Sequence, residues 1–369
     1  MGLMIIFPAA EEADTEVRLL QLLEPVFTEY PSCTVIRTEQ ELEPLLVEGK
    51  LAGKKLLFAA ALGKDGMQTR LFSMLRMIRK RDADHTRTKE WQSGCLKGTT
   101  GAVLIDASTE QYTKSVGREI VRTANAAGCR FVGRPLVEGT GSLKNYLVQA
   151  KNRNCSLDEA YRYAALDLTE RLMKPEPCRG KNQILCVHSC DPSTSNTFWL
   201  WNQVKEKLPS IIEVQEISLR DEPIMDCAGC SYETCMYFSR NMACFYGGEM
   251  VDEVYPALDQ CKALVLLCPN YNDALGANLT AFINRLTAPF RRKPFKDKQL
   301  FALIVSGYSG SDIIECQLID ALNMNKSFQL PGNFALTETA NMAGSIAKIP
   351  NIQEKIESYA EYLTRCILT

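Results

Sequence analysis

Two tandem α/β domains, each a doubly wound parallel sheet, are predicted from three features of this 369-residue chain. Short apolar runs of strand length alternate with amphipathic helical stretches, the pattern of βαβ units. The alternation occurs twice. Lys55–Phe58, a polar break at Gly63–Gly66 and Leu71–Ile78 are mirrored by Lys262–Leu286, with Asp65/Asp273 and Leu71/Leu279 each 208 positions apart. Between the copies, Ser156 and Glu159 form a capping box that opens a helix, and Lys174-Pro175-Glu176-Pro177 closes it, because paired prolines cannot continue a helix. The boundary falls near residue 178, which divides the chain into a first domain at 1–150, a helix and linker at 151–180 and a second domain at 181–369.

The remaining elements follow in parallel. Ala102–Ser108 and Ala302–Tyr308 are the next strands and loops of the two copies. A helix and a last strand follow in each, at Arg130–Val132 and Asn333–Leu336. The second copy opens with the strand Ile184–Val187, which runs through a hydroxyl-rich loop, His188–Thr197, into a helix with Leu200, Val204 and Leu208 in register. The apolar run Ala263–Cys268 breaks at Pro269-Asn270-Tyr271-Asn272 and restarts as a helix with Leu279, Phe282, Ile283 and Leu286 on one side.

Composition narrows the function classes. A formal charge of −2 and a pI near 5.9 leave no global electrostatic case for nucleic acid, so a small-molecule ligand is expected. No apolar run reaches the length of a membrane span, and Met1–Ala10 lacks a basic leader before Glu11 and Glu12. Fifteen cysteines, several inside strand-like runs, read as thiols of a reducing compartment. A cytoplasmic protein is expected.

The site is expected at the carboxyl ends of the second copy's strands, the crevice where open α/β sheets bind ligands. Tyr271 can offer a ring face there. The loop ending in Ser195, Asn196 and Thr197 leads into a helix N-terminus, whose unpaired N–H groups and dipole favour an anion. At these residues the chain resembles the NADPH-dependent FMN reductase family of flavodoxin-like proteins. That family's pattern reads roughly P-x-Y-(N/F)…L-K-x-(F/A)-I-D-R, with Thr280 here in place of the lysine and Asn284 in place of the aspartate. Ser195-Asn196-Thr197 resembles the S-N-T that ends the family's flavin-phosphate loop, while His188 stands where glycine is usual and Asp191 near the usual arginine. The resemblance implies an FMN-dependent NAD(P)H oxidoreductase in which the cofactor carries the chemistry. Ser189, Ser195, Asn196 and Thr197 would hold the phosphate. Pro269, Asn270, Tyr271 and Asn272 would border the isoalloxazine, and Ser306, Gly307 and Tyr308 would close its other edge. Electrons would pass to a small-molecule acceptor or a redox protein, and a homodimer is an oligomer common among such reductases.

The first copy differs at the same places. Its opening loop carries Glu11, Glu12 and Asp14 where a phosphate would lie, and its second loop supplies no aromatic ring. It reads as a degenerate flavodoxin-like domain without flavin.

Cys227, Cys230, Cys235 and Cys244 stand between the second and third strands of the second copy, four thiols within eighteen positions. Their spacing suits a tetrahedral zinc, a 4Fe-4S cluster or free, redox-active thiols. Iron-sulfur flavoproteins of the same superfamily carry a tighter four-cysteine motif at this location, which makes electron transfer from a protein donor the alternative function; a flavin-less scaffold or binding protein is the third. The segment is expected to be an irregular loop over the strand ends near Tyr271, with Tyr237, Phe238, Phe245 and Tyr246 covering it or forming a pocket wall. His188 reads as a loop or core histidine. Arg79-Lys80-Arg81 and Arg291-Arg292-Lys293 read as solvated faces.

Overall fold

In each half, runs of β-branched and leucine residues buried on both faces form strands that only helices on either side can cover. The computed structural model describes residues 2–10, 13–84, 91, 94–220 and 224–369. Within these, the first sheet comprises β1 (Leu3–Ile6), β2 (Thr34–Ile36), β3 (Lys55–Leu62), β4 (Thr100–Ala107) and β5 (Arg130–Gly139). The second comprises β6 (Gln183–His188), β7 (Glu213–Ser218), β8 (Ala263–Pro269), β9 (Gln299–Ser306) and β10 (Ala335–Thr339). The strand orders are β2-β1-β3-β4-β5 and β10-β9-β8-β6-β7. All ladders are parallel, with registers such as Leu57↔Ala102 in the first sheet and Leu185↔Leu264 in the second. Counted from its own first strand, each sheet runs 2-1-3-4-5, the flavodoxin-like order whose ligand crevice opens beside the first strand.

The 208-residue offset has a structural counterpart. β3 and β8 begin at Lys55 and Ala263, and the helices after them at Thr69 and Ala277, both pairs 208 positions apart.

The first unit spans Met1–Thr86 and Ser93–Glu176; Pro177–Thr369 forms the second, together with Trp91. The helix Leu157–Met173 is placed between the domains by sequence reading, but it buries Tyr161, Ala165, Leu168 and Leu172 in the core of the first unit. Its amphipathic stripe covers one face of that sheet, and its capping box forms as expected. In the second unit, Trp201, Tyr359 and Tyr362 are fully buried against Phe301 and Val265.

Two strand boundaries differ from expectation. β10 starts at Ala335, after Asn333, because Asn333 takes a left-handed φ of 54° and exchanges hydrogen bonds with Trp91 instead of joining the ladder. β5 continues past Val132 to Gly139, with a register shift opposite Gly101–Val103 that lets the strand resume pairing.

Candidate cofactor site

The carboxyl ends of β6, β8 and β9 carry three loops, and side-chain amides tie them together. Asn270, just past β8, donates from Nδ2 to Ser309 O at 3.0 Å and Ser306 Oγ at 3.2 Å. These acceptors, with Asp273 Oδ1 at 3.3 Å, fix the amide's orientation and leave its buried Oδ1 with no partner among the described residues. Asn272 and Asp273 both have positive φ, 53° and 57°, and fold the loop back so that Tyr271 and Ala274 pair. Gly310, at φ 89°, crosses this loop so closely that a Cβ there would collide with Asp273 Oδ1 and lie 2.7 Å from Asn270 Nδ2.

Tyr271 is half exposed at 53%. Its ring and Ser189 Oγ both approach Gly276, the residue that caps the helix Ala277–Arg285, where an added Cβ would lie 3.7 Å from each. Burial raises the Tyr271 phenol, reinforced by Cys190 and Asp191 and opposed by Arg220. The β6 loop and the aromatic loop therefore face one another.

The sequence-predicted residues divide into two groups. Ser189, Pro269, Asn270, Tyr271, Asn272, Gly307 and Tyr308 stand at these strand ends and in the loops beyond them, and Tyr308 is 81% exposed with its hydroxyl accepting from Asn341 Nδ2 at 2.7 Å. Others are consumed internally. Ser195 Oγ caps the helix Asn196–Glu206 by accepting from Phe198 N at 3.2 Å. Asn196 uses its whole amide: Nδ2 donates to Ala340 O at 3.0 Å and Met342 O at 2.9 Å, and Oδ1 accepts from Gly344 N at 2.9 Å. Thr197 is buried, and Ser306 Oγ pairs with Ser311 Oγ at 2.8 Å.

His188 is a core histidine, 2% exposed and stacked obliquely on Phe198. Its Nδ1 accepts from Cys190 N at 3.3 Å, so the ring hydrogen lies on Nε2, 3.8 Å from Glu216 Oε1. Glu216 also accepts from Trp201 Nε1 at 2.8 Å and Lys205 Nζ at 3.0 Å. His188, Trp201 and Lys205 together pull this carboxyl down to about 2. Sequence reading missed Glu216, Arg220, Asn341 and Gly310. The left-handed Gly310 has a visible signal, a glycine directly before a Ser-Asp helix start; the others are set by tertiary contacts.

The four cysteines do come together. Cys227, Cys230, Cys235 and Cys244 line one cavity of about 100 Å³, walled by Phe238, Phe245 and Tyr246. The segment is more regular than expected, because Ser231 Oγ accepts from Thr234 N and caps a short helix, Tyr232–Ser239. Asn284 and Arg285, at the end of the helix Ala277–Arg285, line the cavity, about 13 Å of helix rise from Gly276. Arg291 is no solvated residue: it lines the cavity and stacks 4.6 Å over Tyr232. Arg285 is 4% exposed, donates from Nη2 to Gly247 O at 2.7 Å, and leaves Nε unpaired; Arg291 Nη1 is also buried and unpaired. Among the described residues, no three His, Cys, Asp or Glu side chains converge as they would around a single metal ion.

In the first unit an ion pair stands at the end of β4. Arg18, on the first helix, makes a two-pronged ion pair with buried Asp106 at 2.7 and 3.0 Å and donates to Ala107 O and Thr140 O, both at 3.0 Å. A cavity of about 330 Å³ beside β3, where the 208-residue offset equates Gly63–Asp65 with Tyr271–Asp273, is lined by Ala10, Gly63, Lys64 and Asp65, with no aromatic side chain among the described residues. Glu11 and Glu12 and the Asp14 side chain, which sequence reading sets against a phosphate, lie outside the described residues. Arg79, from the other basic run, pairs with Glu119 and donates to Thr123 Oγ1.

With that geometry in view, comparison with known proteins bears on the second unit. Residues 183–341 match the NADPH-dependent FMN reductase family. The matched segment holds all three crevice loops and the four cysteines. No curated protein matches the chain. Among solved structures, it is similar to Smu.1420 from Streptococcus mutans UA159, at 16% identity over 50% of this chain and 99% of that one, with a TM-score of 0.35. The NAD(P)H:quinone oxidoreductase from Methanothermobacter marburgensis gives 14% identity over 52% and 98%, TM-score 0.37. An FMN-dependent NADH-azoreductase from Bacillus anthracis gives 11% over 49% and 99%, TM-score 0.33. No helix among the described residues is long and apolar enough to cross a membrane.

Proposed function

We propose that the second unit is an FMN-dependent NAD(P)H oxidoreductase that passes electrons from reduced nicotinamide to a small-molecule acceptor such as a quinone, nitroaromatic or azo compound. The observation that carries this reading is the crevice inside the matched segment 183–341, where Asn270 clamps two loops and leaves its own buried carbonyl unpaired. An orphaned acceptor costs stability unless a ligand donor meets it, and the isoalloxazine edge carries such a donor. Tyr271 supplies a half-exposed ring, Ser189 a hydroxyl and Tyr308 an exposed edge, so the residues present fit a planar, polar-rimmed cofactor. FMN, when bound, supplies the hydride and electron chemistry. The protein's share is to orient the ring between the β8 and β9 loops and to screen one face with Tyr271. The first unit, whose cavity at Ala10 and Gly63–Asp65 has no aromatic side chain among the described residues, is the flavin-free domain.

The test is a spectrum of anaerobically purified full chain with flavin quantified, followed by NAD(P)H oxidation assays. About one flavin per chain with nicotinamide-dependent acceptor reduction is expected. Colourless protein that takes up no flavin refutes the reading.

A second reading is favoured by the cysteine cavity. Four thiols share it with two unpaired guanidinium donors, and Lys326 lies close enough to be influenced by Cys227, Cys235 and Arg291. Such a surround suits a 4Fe-4S cluster, whose four thiolates make it anionic and hold it more widely than a single ion. Iron at about four per chain, lost in a Cys227→Ser, Cys230→Ser double variant, is the expected result. Iron-free anaerobic protein removes this reading and leaves the first intact.

A further inference from the structure

The loop between β6 and its helix is the expected phosphate seat, and some of its donors, the Ser193 N–H and hydroxyl, are already engaged by an acid of the protein itself. Asp191 Oδ1 accepts from Ser193 N at 2.9 Å and from Ser193 Oγ at 2.6 Å. The Asp191 carbonyl takes Ser195 N at 3.0 Å and Thr194 N at 3.4 Å. Its other carboxylate oxygen receives Arg220 Nη2 at 2.8 Å, a guanidinium that reaches over from the end of β7. The hydrogen bonds from Ser193 hold this carboxyl below the usual range, so it is ionised at neutral pH. Asp191 also lies two residues from Ser189, whose Oγ approaches Gly276 together with the Tyr271 ring.

We propose that Asp191 is the specificity-determining residue of this crevice: its carboxylate occupies the anion seat and neutralises Arg220, so a flavin's phosphate gains little there. The inference rests on the flavin reading and sharpens it. A phosphate entering this loop meets Ser193, Thr194 and Ser195 N–H groups already bonded and a cation already paired, and it faces a like charge a few ångströms away. Repulsion from Asp191 and attraction to Arg220 largely cancel. The crevice then binds flavin through the ring and the ribityl hydroxyls, and takes riboflavin about as well as FMN. Removing the carboxylate reverses this, since Arg220 is freed to pair with a phosphate in a charge-assisted, two-pronged hydrogen bond.

The experiment is a fluorescence-quenching titration of the full-length apoprotein with FMN and with riboflavin, in wild type, Asp191→Asn, Asp191→Ala and Arg220→Ala. Asparagine keeps an acceptor for Ser193 N–H, so the loop retains its turn while losing the charge. For wild type the two affinities are expected within about threefold of each other. Asp191→Asn should tighten FMN by about tenfold or more, about 1.4 kcal/mol, and change riboflavin by less than about threefold. Arg220→Ala, which leaves Asp191 without its cation, should weaken FMN by about tenfold and spare riboflavin. If Asp191→Asn does not fold, the Arg220→Ala arm decides alone. A wild-type preference for FMN above about thirtyfold, or a ratio of affinities that no variant moves, overturns the role of Asp191 and leaves the flavin reading standing. Failure of either flavin to bind any of the proteins overturns both.

Discussion

Asn196→Ala separates a structural role from a ligand-binding one at a residue whose family resemblance points to phosphate. In the structure its side chain makes three hydrogen bonds, to Ala340 O, Met342 O and Gly344 N, and it is 7% exposed. Each such bond contributes about 0.5–1.5 kcal/mol net, and alanine also leaves the three backbone groups without their partner, so a loss of about 2–4 kcal/mol is expected. For a unit of this size that lowers the melting midpoint by roughly 5–12 °C. Two units melting independently would blur a calorimetric trace. Tryptophan fluorescence avoids this, because the chain's three tryptophans, Trp91, Trp199 and Trp201, all belong to the second unit. Asn196→Asp should be at least as damaging, since its carboxylate keeps the bond from Gly344 N but faces two carbonyl oxygens. A midpoint shift below about 2 °C for Asn196→Ala, accompanied by a large loss of FMN affinity, would refute the staple and restore the phosphate role.

Three further outcomes are expected. Tyr271→Ala should weaken FMN binding by about 1–3 kcal/mol through the lost ring face, and unchanged affinity and fluorescence quenching would place the ring elsewhere. Gly310→Ala should cost about 2–4 kcal/mol, combining left-handed strain at φ 89° with collision against Asp273 and Asn270; urea unfolding followed by fluorescence checks it, and a near-neutral result would show that the two loops separate freely. Glu216 is held near 2 in the folded chain against 4.5 ordinarily, so its stabilisation is complete above about pH 4.5 and disappears as pH falls towards 2. Because the group is partly exposed, screening reduces that contribution to about 1–2 kcal/mol. Glu216→Gln should lower stability at pH 7 by that amount and flatten the acid limb, and a variant that keeps the wild-type acid limb would contradict the assignment.

The alternation of buried strands and amphipathic helices, the 208-residue offset, the capping box at Ser156 and the proline stop after Met173 are local signals, each written in a few consecutive residues. They were sufficient for two doubly wound sheets, and the start of β8 and of its helix falls where the offset places them. The fate of the helix Leu157–Met173 was not legible. Its apolar stripe says that it packs, and only the sheet it meets says against what.

The same division runs through the site. The identities of the three crevice loops could be read from the sequence, because strand ends and helix starts leave unpaired backbone groups wherever they occur. Which side chains remain available to a ligand could not. Ser195 caps its own helix through Phe198 N, a local bond, but Asn196 is bonded within the protein and Asn270 has a carbonyl to spare only because Ala340, Met342 and Ser309 arrive within 3 Å or so of them from elsewhere in the chain. The cysteines show the contrast most plainly. Their number and spacing announced a cluster, but the guanidinium atoms left without a partner among the described residues, Arg285 Nε and Arg291 Nη1, come from two later helices, Ala277–Arg285 and Thr287–Arg292. Sequence alone determined the architecture and the residue types at each strand end, because periodicity and capping act over one or two turns of chain. Tertiary structure decided which polar groups are satisfied and which are free, because hydrogen-bond partners remote in sequence are chosen only when the sheet brings its loops together.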